Sequence, residues 1–225
     1  MPRFAQPLAA IVDLDGTLVH TLPDFAAALA GSHRELGLRV LDVTEVEVMV
    51  GKGSDHLVRS ALRAAGAQDG RYDEAWHAYQ RQYDACNGVH SAVYPGADEG
   101  VRALRRRGMR LACVTNKPER FALDLLKARA LLDVFEAVVG GDTFERKKPD
   151  PLPLLRTCER FGCEPARTLV IGDSSNDAVA ARAAGCPLVL VTYGYNHGEP
   201  IRDVPADGYV DSIADVPAWI DAVAR

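Results

Sequence analysis

The chain lacks three features that would place it outside the ordinary intracellular globular proteins. Its five cysteines are odd in number and form no Cys-x-x-Cys pair, which disfavours a disulfide framework and favours buried, reduced thiols. No run of 18 apolar residues could form a membrane-spanning helix. Residues 1–7 lead into an apolar run without the organisation of a signal peptide. We therefore expect a cytoplasmic protein that does not associate with membranes.

Positive charge is also not in excess. The formal net charge is -5, so the basic footprint of a nucleic-acid-binding protein is missing. The 225 residues are 48% hydrophobic and 25% charged, a balance typical of a packed globular domain. Internal repeats and low-complexity segments are not evident. The length suits one domain with an insertion, and the partner we expect is a small molecule.

The chain contains five short apolar runs, each followed by polar residues. The runs occupy residues 8–12, 111–114, 137–140, 168–171 and 188–191. Segments with helical spacing of apolar residues separate them. Nearly continuous apolar strands alternating with helices predict an α/β fold in which a parallel sheet carries helices on both faces. Ligands bind such sheets at the carboxyl ends of the strands, so we expect the polar residues there to converge on one crevice.

One connection in this pattern is far too long for a simple crossover. About 100 residues separate the polar end of the first run from that of the second, where a crossover needs a few tens at most. The surplus has helical patterns throughout. The sequence therefore predicts a catalytic core of residues 1–19 and 91–225 and an all-helical cap of residues 20–90. The cap is either decoration or a lid that excludes water, and its position directly after the first run favours the lid.

The polar residues that end the runs are those that phosphoryl transfer requires. Asp13 is the candidate nucleophile and Asp15 the candidate acid and base, because a carboxylate can carry a phosphoryl group and its neighbour can move the proton. Lys148 offers positive charge to the phosphate, although Lys147 beside it leaves the alternative of a solvated turn. Thr115 and Asn116 offer hydrogen-bond donors to the phosphate oxygens.

The remaining carboxylates predict a metal ion. Asp173 and Asp177 follow the fourth run, and several carboxylates around a phosphate would repel it. Mg²⁺ resolves this conflict, because it binds oxygen ligands and needs only one or two carboxylates besides the substrate. No histidine or thiolate spacing favours zinc. Asp177 lies one helical turn beyond Asp173, and we expect it outside the metal's immediate ligands.

Four motifs in order resemble those of the haloacid dehalogenase-like superfamily. They are residues 13–18 (DLDGTL), 115–118 (TNKP), 148–151 (KPDP) and 172–177 (GDSSND). The resemblance implies a Rossmann-like core with an inserted helical cap, an aspartyl-phosphate intermediate and Mg²⁺. It also implies that the metal is held by Asp13, the main-chain carbonyl of Asp15 and Asp173. Dehalogenases of the superfamily lack the second aspartate, so Asp15 indicates a phosphate substrate.

Within the superfamily, the chain is most similar to bacterial phosphoglycolate phosphatases. The similarity lies in residues 50–53 (VGKG), 115–118 (TNKP), 140–142 (GGD) and 192–196 (TYGYN). His20 departs from the family, which often has an acidic residue shortly after the first motif, and this bears on the cap hinge. Lys52 has three interpretations: an exposed loop residue, a cap group that reaches the substrate carboxylate, or a Schiff-base lysine as in phosphonoacetaldehyde hydrolases.

The predicted function is a Mg²⁺-dependent phosphatase that acts on a small phosphomonoester, foremost 2-phosphoglycolate. One alternative is a β-phosphoglucomutase-like or other member of the superfamily that acts on sugar phosphates or pyrophosphate. A second is a receiver-like switch that uses a phosphorylated aspartate as a signal, which Asp15 and the insertion disfavour. We expect a monomer or a homodimer.

Overall fold

A computed structural model describes residues 5–223 of the chain. Residues 1–4 and 224–225, which belong to the predicted core, lie outside the described residues. Within residues 5–223, no helix combines the length and the apolar character needed to cross a bilayer. The strands are β1 (Ala9–Val12), β2 (Val19–His20), β3 (Ala92–Val93), β4 (Arg110–Val114), β5 (Ala137–Val139), β6 (Thr168–Gly172), β7 (Leu188–Val191) and β8 (Gly208–Val210). The helices are α1 (Leu22–Glu35), α2 (Val43–Glu47), α3 (Ser54–Ala64), α4 (Tyr72–Cys86), α5 (Ala97–Arg106), α6 (Glu119–Ala128), α7 (Leu152–Phe161), α8 (Ser175–Ala184) and α9 (Val216–Val223).

The centre of the molecule is a parallel sheet of six strands in the order β5-β4-β1-β6-β7-β8. Strand β1 lies between β4 and β6, with Ile11 level with Ala112 on one side and Val170 on the other. All four residues of β1 are buried, because helices cover both faces of the sheet. The polar residues after β1, β4 and β6 consequently meet at one edge.

Alternate residues of each central strand enter two separate cores. Val12 and Cys113 face the core formed with α5, α6 and α9. Ile11 and Ala112 face the opposite core, formed with α7 and α8. This alternation follows from the period of two along a strand, and it accounts for the continuous apolar runs in the sequence. The predicted helix-covered parallel sheet is confirmed.

Helices α1 to α4 form a third hydrophobic cluster away from the sheet. Its buried members include Phe25 of α1, Leu57 of α3 and Tyr83 of α4. Two residues from the sheet-containing part, Phe121 and Tyr195, complete this cluster. The helical layer is therefore packed down onto the carboxyl-end edge of the sheet in this structure.

A short antiparallel ribbon joins the sheet to the helical layer. Val19 of β2 lies opposite Val93 of β3, at the predicted boundary between core and cap. The fully buried carboxylate of Asp24 accepts hydrogen bonds from the main-chain N–H of Gly88 (2.8 Å) and His90 (2.7 Å). These hydrogen bonds connect the segment where the chain enters the helical layer, at Asp24, with the segment where it leaves, at residues 88–90.

The sequence located the central elements closely and missed the small peripheral ones. Strand β7 begins and ends where its apolar run of residues 188–191 predicts. The ribbon strands have two residues each, and edge strand β8 has three, of which two are only partly buried. Such short, half-exposed strands carry no apolar run from which they could be recognised.

Candidate active site

The first two carboxylates of the site follow β1 directly. The main-chain N–H of Asp13 donates to the carbonyl of Ile171 in β6 (2.9 Å), which continues the sheet up to the carboxylate. Gly16 then has φ of +87°, and a Cβ there would lie 2.2 Å from Asp173 Oδ2. Only glycine permits this turn beside a third carboxylate. The turn brings Asp13, Asp15 and Asp173 into one site.

Lys148 lies between two of the predicted carboxylates. Its Nζ is 3.0 Å from Asp13 Oδ1 and 2.8 Å from Asp177 Oδ1, and it donates to the carbonyl of Val114 (2.7 Å). Burial alone would lower the pKa of Lys148, but the charges of Asp13 and Asp177 outweigh it and raise that pKa. Lys148 is therefore a permanent positive charge at the candidate nucleophile, and the solvated-turn alternative for it does not hold.

Asp173 and Asp177 are held in different ways. Asp173 accepts hydrogen bonds from Thr17 Oγ1 (2.8 Å) and from the main-chain N–H of Tyr195 (2.6 Å). Asp177 Oδ2 accepts from Ser174, the N-cap of α8, through Oγ (2.7 Å) and the main-chain N–H (3.2 Å). Because its other oxygen pairs with Lys148, Asp177 has both oxygens committed to protein donors.

The carboxylates of this edge suit a hard divalent cation. Oxygen atoms of Asp13, Asp173 and Asp177 all lie within 4.8 Å of one another. Burial is the main cause that raises the pKa of Asp13 to about 7; Lys148 opposes it, and Asp177 and Asp15 add to it. Burial and the charges of Asp177 and Asp13 likewise raise the pKa of Asp173 well above its usual value. The site has more negative charge than its lysine balances, as an oxygen-ligand metal site should.

Asp15 has a partner of its own, Lys117. Lys117 Nζ is 2.7 Å from Asp15 Oδ1, and its side chain is only 1% exposed. The ammonium lies over the rings of Phe25 (4.4 Å to the centroid) and Tyr83 (5.1 Å), which belong to the helical layer. Thr115 Oγ1 is 3.4 Å from Asp15 Oδ2, as expected for a residue at the neighbouring strand end.

Asn116 lies in the site, but its side chain is already occupied. Its Nδ2 donates to the carbonyls of Gly51 (2.9 Å) and Lys148 (2.8 Å), and its buried Oδ1 has no hydrogen-bond partner among the residues that the structure describes. Asn176 Nδ2 also donates to Gly51 (3.2 Å), and it lies 3.2 Å from His197 Nε2. Two core amides thus hold one carbonyl of the 50–53 loop.

A small cavity of about 30 Å³ lies between the sheet edge and the helical layer. From the core it is lined by Asp13, Asp15, Thr115, Asn116 and Lys117, and from the helical layer by Phe25, Val50, Gly51, Gly53, Ser54 and Leu57. Lys52 is exposed to solvent and is not among these lining residues, although both of its neighbours in the chain are. The structure therefore brings together every predicted site residue except Lys52.

Sequence reasoning missed three residues that the geometry places at the site. Lys117 lies within the TNKP motif but was assigned no role, because nothing in its spacing indicates a partner 102 positions away. Tyr195 lies within the TYGYN stretch, which by itself predicts no role for it, yet its main-chain N–H donates to Asp173 and its hydroxyl lies 2.6 Å from His20 Nδ1. Asn176, inside the GDSSND motif, was not singled out.

Comparisons with known proteins agree with this geometry. Residues 8–185 match the family model described as haloacid dehalogenase-like hydrolase. A phosphoglycolate phosphatase from Thiobacillus denitrificans is 43% identical over 226 residues, covering 98% of this chain and 99% of that protein. A phosphoglycolate phosphatase from Nitrosospira multiformis is 46% identical and covers 97% of this chain and 98% of its own length.

A solved structure extends the likeness to three dimensions. The crystal structure of a predicted phosphoglycolate phosphatase from Haemophilus somnus superposes with a TM-score of 0.92 at 32% identity, covering 96% of this chain and 98% of that one. The family model spans most of the chain, and the relatives span nearly all of it. The chain therefore belongs to the haloacid dehalogenase-like hydrolase family and is an enzyme, as its four motifs predict.

Proposed function

We propose that this hydrolase is a Mg²⁺-dependent phosphatase that converts a small phosphomonoester, foremost 2-phosphoglycolate, into an alcohol and inorganic phosphate. The observation that carries the proposal is the pairing of Asp13 with Lys148 at 3.0 Å, with Asp15 beside Asp13 on the cavity wall. A nucleophile, a fixed cation and a second carboxylate are the parts that phosphoryl transfer requires. The relatives named phosphoglycolate phosphatase support the choice of substrate.

In the first step, a carboxylate oxygen of Asp13 forms a bond to phosphorus while the bond from phosphorus to the ester oxygen breaks. Asp15 gives its proton to the departing oxygen, which leaves as the alcohol. The phosphoryl group remains on Asp13 as an acyl phosphate. Lys148 and the Thr115 hydroxyl stabilise the charge on the phosphoryl oxygens from fixed positions.

In the second step, Asp15 takes a proton from a water molecule, whose oxygen attacks the phosphorus. The bond between phosphorus and Asp13 breaks, phosphate leaves, and Asp13 returns to a carboxylate. Asp13, the carbonyl of Asp15 and Asp173 are the residues that would hold Mg²⁺, with Asp177 orienting Lys148 behind them. When bound, the ion shields the negative nucleophile from the negative phosphate.

The helical layer of residues 20–90 acts as a cap that closes the cavity. Two features support this role. Phe25, Val50 and Leu57 of the helical layer form the apolar wall of the cavity. The side-chain amides of Asn116 and Asn176, both in the core, donate hydrogen bonds to the Gly51 carbonyl. A closed cap excludes water and so protects the acyl phosphate until Asp15 directs one water molecule to it.

Phosphate release by purified protein, with and without Mg²⁺, tests the proposal across 2-phosphoglycolate, hexose 1-phosphates and pyrophosphate. We expect 2-phosphoglycolate to give the highest kcat/KM and activity to require the ion. Asp13→Asn should lose at least about 10³-fold in kcat, because amide nitrogen and oxygen are far poorer nucleophiles than a carboxylate. Acid quenching during turnover should trap phosphate on the unmodified protein and none on Asp13→Asn.

Three results would contradict the proposal. Parental turnover by Asp13→Asn, free of deamidated protein, would remove the aspartyl-phosphate. Conversion of a hexose 1-phosphate into its 6-phosphate without phosphate release would identify a mutase. A phosphoprotein that persists for hours without turnover would indicate a signalling switch.

A further inference from the structure

Lys117 is the one cationic side chain among the described residues that line the cavity. Lys148 lies behind Asp13 and is shared between Asp13 and Asp177. Lys52, the cation that the sequence suggested for a substrate carboxylate, is exposed outside the lining. A negatively charged group that enters the cavity next to Asp13 and Asp15 would meet repulsion from both, and Lys117 is the group placed to offset it.

The ammonium of Lys117 has hydrogen-bonding capacity to spare. An ammonium carries three N–H donors, and among the described residues its only ion-pair partner is Asp15. The rings of Phe25 and Tyr83 are stacked with centroids 5.3 Å apart, and the ammonium of Lys117 lies over both. These cation–π contacts attract the ammonium but do not take the place of hydrogen-bond acceptors for its N–H groups. Burying an ammonium with only one carboxylate partner costs free energy. A second anion would accept the remaining N–H donors and offset that cost.

The spacing between Lys117 and Asp15 specifies how far that anion lies from the bond that breaks. A carboxyl acid reaches the leaving oxygen at a hydrogen-bond distance of about 2.7 Å. In a 2-phospho acid the carboxyl carbon is two single bonds from that oxygen, each about 1.5 Å long. Lys117 Nζ is itself 2.7 Å from Asp15 Oδ1, so the carboxylate of such a substrate comes within its reach. A charged group several atoms further from the leaving oxygen would lie beyond the reach of Lys117.

We infer that Lys117 binds the carboxylate of the substrate, and that through it the enzyme selects short 2-phospho carboxylic acids over neutral phosphate esters. This inference rests on the proposed function and adds to it the residue that chooses the substrate. Lys117 is then a substrate-binding residue shared between Asp15 and the ligand, and the rings of the cap hold it in place.

The test compares two substrates that differ only in the charged group: 2-phosphoglycolate and 2-hydroxyethyl phosphate. The ratio of their kcat/KM values is measured for the unmodified protein, Lys117→Gln, Lys52→Gln and Lys127→Gln, an exposed lysine of α6 that serves as the matched control. We expect Lys117→Gln to lower the ratio by about 10- to 100-fold, the value of a hydrogen bond to a charged group. Lys52→Gln and Lys127→Gln should leave the ratio within about threefold.

Equal losses on both substrates in Lys117→Gln would overturn the inference, since Lys117 would then act only through Asp15. A ratio that falls in Lys52→Gln and not in Lys117→Gln would assign the carboxylate to Lys52. If the unmodified protein hydrolyses neither compound, the proposed function fails. If it prefers 2-phosphoglycolate and Lys117→Gln keeps that preference, only the role of Lys117 fails.

Binding by calorimetry supplies a second readout that needs no turnover, and it includes a double variant that has no unpaired buried charge at this position. Asp15→Asn is compared with the double variant Asp15→Asn/Lys117→Met, in which both members of the pair are neutral. We expect Asp15→Asn to bind 2-phosphoglycolate more tightly than 2-hydroxyethyl phosphate and the double variant to bind them within about threefold. A preference that survives in the double variant would overturn the inference even if Lys117→Gln failed to fold.

Discussion

The two buried lysines of the site lie in differently built surroundings. Lys148 is held by Asp13, Asp177 and the carbonyl of Val114, all supplied by the sheet and its connections. Lys117 is held by Asp15 from below and by Phe25 and Tyr83 of the helical layer from above. The surroundings of Lys148 come from the core alone, whereas those of Lys117 combine a core carboxylate with two rings of the helical layer.

Under the proposed function, this contrast separates the groups that transfer the phosphoryl group from the group that selects the substrate. Groups that must be placed to a fraction of an ångström are attached to strand ends of a sheet buried on both faces. Lys117, which we propose contacts the variable part of the substrate, lies at the junction between the core and the helical layer. Variants on the Lys148 side should therefore lower kcat, and variants on the cap side should mainly change KM and selectivity.

The largest effect is expected from Lys148→Met, which should lower kcat by about 10³-fold on any substrate, because the charge at the transferring phosphoryl group is lost. Lys147→Met is the matched control, and it should stay within about threefold of the parent. Steady-state phosphate release with 2-phosphoglycolate and p-nitrophenyl phosphate measures both. Comparable losses in the two variants would mean that Lys148 has no special role and would erase the contrast.

Asp173→Asn should lower kcat by about 10²-fold and abolish stabilisation by Mg²⁺, because a charged ligand of the ion is replaced by a neutral one. The parent should show a rise in Tm when Mg²⁺ is added without substrate, and EDTA should reverse it. Asp124→Asn, an exposed carboxylate of α6, should retain the full rise. A Mg²⁺-dependent rise in Asp173→Asn equal to that of the parent would place the ion elsewhere.

Asn116→Ala and Asn176→Ala should each raise KM by about tenfold, because each removes a hydrogen bond that holds the closed 50–53 loop through the Gly51 carbonyl. Their effects should not add in the double variant, since both act on one acceptor. Kinetics of the two single variants and the double variant provide this cycle. A fall in kcat confined to Asn116→Ala would instead support the predicted role of its side chain in binding phosphate.

Phe25→Leu should have the smallest effect, a rise of severalfold in KM for 2-phosphoglycolate, because a cation–π contact of Lys117 is lost while the apolar volume is largely kept. Phe135→Leu makes the same substitution in the sheet core, at a similarly buried position remote from the cavity. It should destabilise the protein to a similar extent without changing KM. An equal change in KM for both variants would assign the effect to general destabilisation.

The catalytic half of the site was readable from the chain because it is local. Asp13, Thr115 and Asp173 each follow an apolar run, and parallel strands bring their carboxyl ends to one edge whatever the loops do. Lys148 and Asp177 were recognised by the same motif order, and the structure places them 2.8 Å apart. The odd number of cysteines, the net charge of -5 and the long insertion indicated the general kind of protein, and the four ordered motifs indicated its family.

The selective half depends on how two separately patterned parts dock. Nothing in the spacing of Lys117 or Lys52 indicates which one is buried, because that depends on where α1 and α4 come down over the sheet edge. The sequence nominated Lys52, and the folded chain leaves it in solvent while Lys117 lines the cavity. The positions of the strands in the chain follow from short-range patterns of burial, but contacts between the core and the helical layer join residues more than 100 positions apart, as with Asn176 and Gly51. Only the packing of the whole chain establishes these long-range contacts.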